Sequence, residues 1–224
     1  MSQGDAEILW EVASVLARDA AKVSREPGRI APILPPLLFF TDPERTPRPW
    51  ETAARLPIGS GVVFRHFGRP DARETAMRLR EATLERGGLL LIGLDAELAD
   101  RVGADGVHLP ERALDRAVDL ASARPDWLMT GAAHLLATPG TPGLDALVVS
   151  PVFQAGGASS ETAPLGLGTF REWVKAAPRP VYGLGGIDGG NARALIGSGA
   201  CGLAGVSGIQ AAFGPTRSGR SIPA

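Results

Sequence analysis

A single cysteine, Cys201, is all the thiol that this chain of 224 residues carries. That scarcity excludes an intrachain disulfide and any zinc site built on several thiolates. Cys201 itself opens an apolar run and reads as a small buried hydrophobe. Surplus charge is equally short: 23 basic and 24 acidic residues leave a formal net charge of -1. There is thus no electrostatic case for a nucleic-acid or anionic-membrane partner. Long hydrophobic runs are missing too, since the stretches at 33–40 and 87–94 are too short or too broken by proline and glycine to span a bilayer. The first residues lack a basic-then-apolar leader, so the expected location is cytoplasmic.

What the chain has in plenty is glycine. Two clusters, Leu184-Gly185-Gly186-Ile187 and Ala204-Gly205-Val206-Ser207-Gly208, each close an apolar run and lie about twenty residues apart. Glycines after a strand let a phosphate approach the backbone, and the N–H groups that open the next helix then face the anion. Gly185, Gly186, Val206 and Ser207 are therefore candidate phosphate-binding residues. The plainer alternatives are that the glycines serve only to close a crowded barrel top, and that Ser207 is only the N-cap of the last helix.

From Leu37 onward, short apolar runs alternate with amphipathic stretches, the pattern of parallel strands joined by helices. Strands are predicted at 37–41, 61–66, 89–93, 106–109, 127–131, 146–150, 181–184 and 202–205. Eight such units are what a closed β/α barrel needs, and the length suits one barrel. A helix is predicted over 71–86, with Asp71 as N-cap and Gly87-Gly88 as its stop, and another over 188–198 with Asp188 as cap. Residues 1–36 read as an extension. Ile8, Val12, Val15, Leu16 and Val23 suggest a helix packed outside the barrel, followed by a connector broken by Pro27, Pro32, Pro35 and Pro36. The barrel is expected to occupy 37–213, and 214–224, rich in Gly, Ser, Pro and Arg, to be a disordered tail.

Several segments resemble one family. Gly103-Ala104-Asp105-Gly106-Val107-His108-Leu109, Ser150-Pro151-Val152-Phe153, Ala163-Pro164-Leu165-Gly166-Leu167, Gly185-Gly186-Ile187 and Val206-Ser207-Gly208-Ile209 follow the order and approximate spacing of thiamine phosphate synthases and their thiazole tautomerase relatives. Leu38-Phe39-Phe40-Thr41-Asp42 is similar to that family's first strand. The resemblance implies a single (β/α)8 TIM barrel with its active site at the C-terminal strand ends. It also implies a transferase that joins a pyrimidine diphosphate to a thiazole phosphate, with magnesium and basic residues meeting the charge of departing pyrophosphate. The expected partner is a phosphorylated small molecule such as thiazole phosphate or thiamine phosphate.

The chain departs from the family where that charge is met. The family's Gln-x-Arg-x-Lys after the second strand is Val63-Phe64-Arg65-His66-Phe67 here, which keeps only Arg65. The two positions that resemble magnesium carboxylates hold Leu94 and Ala113, which offer a hard cation no oxygen. Asp95 and Glu111 are the nearby substitutes. The family's Thr-x-Thr-Lys becomes a loop at 154–160 with no lysine. Magnesium is thus expected only if synthase turnover survives, and weak or lost activity is the expectation. The competing reading is a non-catalytic or altered-function barrel that binds a phosphate ligand as sensor, carrier or partner protein; another phosphate-binding barrel enzyme, such as an isomerase, ranks third. Arg65 is a candidate for phosphate pairing or for a salt bridge across the mouth. His66 and His134 follow strand ends, as candidate acids or bases or as polar lining. His108 is assigned to packing and hydrogen bonding inside the barrel.

Overall fold

The computed structural model describes residues 3–23, 33–134, 142–156 and 161–215. Eight parallel strands close on themselves in sequence order: β1 (Leu37–Phe40), β2 (Gly61–Phe64), β3 (Leu89–Gly93), β4 (Gly106–Leu109), β5 (Leu128–Ala133), β6 (Ala146–Val149), β7 (Val181–Gly183) and β8 (Gly202–Gly205). Pairing of Leu37, Leu38 and Phe39 with Leu203, Ala204 and Gly205 makes the closing seam, so no strand edge is left to solvent. Helices α2 (Pro49–Ala53), α3 (Ala72–Glu85), α4 (Ala96–Val102), α5 (Ala117–Ala123), α6 (Gly166–Ala176) and α7 (Ser207–Phe213) fall between or after the strands, preceded by α1 (Gln3–Val23).

The continuous apolar runs are explained by burial on both faces. Successive side chains alternate: Leu37, Phe39, Val62 and Phe64 pack outward under the helices, whereas Leu38, Phe40, Val63 and Tyr182 fill the barrel interior. His108, Thr130 and Cys201 are buried as well. Burial pushes the Cys201 thiol up, as befits an inert hydrophobe.

Three expectations are corrected. The stretch 188–198 is not an α-helix but a single 3-10 turn, Ala192–Leu195, because Asp188 Oδ1 accepts the N–H groups of Gly190 and Asn191 in a tight local turn and glycines flank the segment. This short connection leaves the outer face of β8 thinly covered, and α1 fills the gap, packing against β8, α7 and the 3-10 turn. Of its expected face, Val12 and Leu16 are buried as predicted, but Leu9 and Ala13 complete the buried stripe in place of Ile8 and Val15, which are only half-buried; the side chain of Val23 lies outside the described residues. Asp71 does precede α3, but its side chain caps nothing and pairs with Arg69 at 3.2 Å instead. The expected disorder concerns residues that, from 216 on, lie outside those described.

Candidate functional site

β2 stops at Phe64, two residues sooner than predicted, and the alternation that turns Val63 inward also turns Arg65 into the barrel mouth. Gly93 makes room: a Cβ there would sit 3.3 Å from Arg65 Cγ. The arginine is anchored twice to Thr41, its N–H donating to Oγ1 at 2.9 Å and its Nε to the carbonyl at 2.8 Å. Its guanidinium lies 5.5 Å from the ring centroids of both Phe40 and Phe67. Buried Nη2 has no hydrogen-bond partner among the described residues, and Asp42 Oδ2 stands off at 3.9 Å. Burial lowers the Arg65 pKa to about 10 against the pull of Asp42, so the group stays cationic at neutral pH.

Asp42 is committed elsewhere. Its Oδ1 accepts the N–H groups of Glu44 and Arg45, and Oδ2 accepts Arg45 Nη2 at 2.9 Å. Burial raises its pKa, yet these bonds and the Arg45 charge prevail and hold the carboxyl below its ordinary value. Sequence reasoning passed over the Asp42–Arg45 pair; charged residues directly at the C-terminal end of a barrel strand were the available signal. Below Arg65, His108 Nδ1 lies 3.0 Å from Thr130 Oγ1, and its ring meets Phe40 edge-on. Burial first, and the Arg65 and His134 charges second, depress its pKa to about 3. It is neutral and structural, as expected.

The two glycine clusters come together at the ends of β7 and β8. Gly185 and Gly186 have φ of 101° and 65°, and a Cβ on Gly185 would meet Pro151 Cα at 2.7 Å. One on Gly186 would run into the Gln154 carbonyl, and one on Gly208 into that of Ile187. The N–H of Phe153 donates to the Gly185 carbonyl at 3.0 Å, tying this turn to the loop after β6. Close packing alone therefore requires these glycines, while the Gly185 and Gly186 N–H groups donate to nothing among the described residues. Ser207 is not the N-cap of α7. Val206 holds that position, and Ser207 is the exposed first helical residue, its hydroxyl unpartnered among the described residues.

Two histidine–carboxylate pairs each join the ends of neighbouring strands, β2 with β3 and β4 with β5. His66 Nδ1 accepts the Gly68 N–H at 3.1 Å, which puts its proton on Nε2, 3.4 Å from Asp95 Oδ2. Asp95 Oδ1 meanwhile caps α4 through the Leu98 N–H at 2.9 Å. His134 follows directly on β5, which runs two residues beyond its predicted end, and its Nδ1 lies 2.9 Å from Glu111 Oε2. Both ring nitrogens of His66 are engaged; His134 keeps Nε2 without a partner among the described residues.

Residues 50–209 match the family model described as thiamine monophosphate synthase. The chain belongs to that family. Among family members it is 33% identical over 218 residues to the thiamine biosynthesis bifunctional protein ThiM/ThiE of Symbiobacterium thermophilum, covering 94% of this chain and 45% of that one. It is 36% identical over 147 residues to the thiamine-phosphate synthase of Gloeobacter violaceus, covering 64% and 43%. The chain thus spans less than half the length of these two curated relatives. A solved structure of thiamine phosphate pyrophosphorylase from Pyrococcus furiosus shares the fold, with a TM-score of 0.66 at 23% identity over 80% of this chain and 91% of that one. No helix among the described residues is long and apolar enough to cross a membrane.

The positions that resemble the family's magnesium ligands do not fit the ion. Leu94 and Ala113 bring no oxygen, Ala113 is buried in the 3-10 turn Glu111–Arg116, and Asp95 and Glu111 are held by the contacts above. Among the described residues no cluster of three or more His, Cys, Asp or Glu could hold a metal. Leu94 nonetheless sits at φ 65°, a left-handed conformation that aspartate and asparagine tolerate far better than leucine.

Proposed function

We propose that this member of the thiamine monophosphate synthase family binds a phosphorylated heterocycle of the thiazole phosphate or thiamine phosphate type, with weak or no synthase turnover. The phosphate is held by the backbone of Gly185 and Gly186 with Val206 and Ser207, and Arg65 supplies the cation. The observation that carries this reading is Arg65: an inward, cationic guanidinium whose buried Nη2 finds no hydrogen-bond partner among the described residues at the barrel mouth. A buried charged donor without an acceptor costs free energy, which an anionic ligand restores. Leu94 and Ala113 support weak turnover, because charge on a departing pyrophosphate then lacks the metal that disperses it; one missing preorganised contact typically costs about 10²–10³ in rate. His66 and His134 are secondary candidates for proton transfer, with His134 the better placed because its Nε2 has no partner among the described residues.

The test pairs a calorimetric titration with an assay. Thiamine phosphate should bind to the wild type and bind about tenfold more weakly to Arg65→Met, the loss of one charge-assisted hydrogen bond of about 1.5 kcal/mol. Pyrimidine diphosphate, thiazole phosphate and Mg²⁺ together should give little or no thiamine phosphate. Robust Mg²⁺-dependent synthesis would overturn the reading of lost turnover, and unchanged affinity in the Arg65 variant would remove Arg65 from the site. Saturable binding with measurable residual synthesis keeps the chain a weakened synthase, and saturable binding with none assigns it the alternative role of a phosphate-ligand sensor or partner protein.

A further inference from the structure

Beside Arg65 the chain does something costly. The N–H of Arg69 donates to the carbonyl of His66 at 3.0 Å, which closes a four-residue turn with Phe67 and Gly68 at its centre. Both central residues have positive φ, 48° for Phe67 and 76° for Gly68, the pattern of a type I′ turn. Glycine, asparagine and aspartate adopt that first position readily; a phenylalanine there is strained. Nothing in the core repays it, because the Phe67 ring is 70% exposed. What it does have is a ring centroid 5.5 Å from the Arg65 guanidinium. A strained, exposed aromatic beside a buried arginine N–H that has no partner among the described residues is what a ligand clamp requires, and such strain persists where function maintains it.

We propose that Phe67 determines ligand class by stacking on the planar heteroaromatic ring of a phosphorylated ligand whose anion Arg65 holds. This rests on the phosphate-binding reading above and deepens it. The same position resembles the lysine of the family's Gln-x-Arg-x-Lys pattern, so the chain has exchanged a cation suited to a diphosphate for an apolar π-surface. The mouth therefore favours a ring bearing one phosphate over a diphosphate, and the His66 Nδ1 bond to the Gly68 N–H keeps the turn that presents the ring.

The test uses the full chain with Phe67→Asn and Phe67→Tyr, titrated with thiamine phosphate and separately with inorganic phosphate. Phe67→Asn should raise the melting midpoint, because asparagine relieves the turn, yet weaken thiamine phosphate binding by about threefold to tenfold, the range expected for one lost stacking contact. Inorganic phosphate affinity should not change, and Phe67→Tyr should bind as the wild type does. Equal thiamine phosphate affinity in Phe67→Asn, an equal loss for inorganic phosphate, or a lowered midpoint would each overturn the inference while leaving the phosphate site standing. Failure of the wild type to bind either probe would overturn both.

Discussion

Restoring the two carboxylates by Leu94→Asp with Ala113→Asp should turn a magnesium-indifferent protein into one that magnesium stabilises. At Leu94 the change is easy on the backbone: φ is already 65°, where leucine costs about 1–2 kcal/mol and aspartate less. At Ala113 it is hard, since the residue is only 8% exposed and a carboxylate lacking partners there costs about 1–3 kcal/mol. In chelator the double variant should therefore be no more stable than its parent, and less stable by up to about 2 kcal/mol. Magnesium at a hundredfold excess over its dissociation constant returns about 2.7 kcal/mol by mass action. For a chain of this size each kcal/mol moves the midpoint by about 2–4 °C, so the variant should gain about 5–11 °C. Melting scans of both proteins in chelator and in Mg²⁺ read this directly. A parent that rises by several degrees in Mg²⁺ would refute the reasoning, for it would mean that Asp95, Glu111 or other oxygens already form a site. A double variant that shows no response would refute the assignment of the two positions.

Two further outcomes follow from burial. His108 is neutral in the fold, with its pKa lowered to about 3 against about 6.5 in an unfolded chain, so the unfolded state binds the extra proton between those values. Its contribution is fully present above pH 6.5 and is lost as pH falls towards 3, amounting to about 2 kcal/mol between pH 6.5 and 5; denaturant titrations should show this loss in the wild type and a shallower one in His108→Gln, and equal slopes would count against it. Leu16 is 1% exposed against the barrel, so Leu16→Ala should cost about 2–5 kcal/mol by the same measurement, whereas a cost near zero would mean that α1 adds nothing to the fold.

The eight strands were legible because strands buried on both faces read as unbroken apolar runs separated by helix-length polar stretches, and three of them, Leu89–Gly93, Gly106–Leu109 and Gly202–Gly205, begin and end where predicted. The family too was legible, since its motifs are local strings in a fixed order. The 188–198 segment misled because Asp188 and its glycines suit both a helix cap and a tight turn, and only α1, arriving from the other end of the chain to cover β8, decides between them. Arg65 was visible as a residue, but not its anchoring to Thr41, its position between Phe40 and Phe67, or the pairing of His66 with Asp95 and His134 with Glu111. Apart from Phe67, which lies two residues from Arg65, those contacts join the ends of neighbouring strands that are far apart in sequence. By itself the sequence determined which residues alternate, where backbone can turn, and which charged ligands are missing, all properties carried by one residue or its near neighbours. Only barrel closure decided which side chains meet at the mouth and which N–H groups there lack a partner among the described residues, because that depends on the register in which eight strands come together.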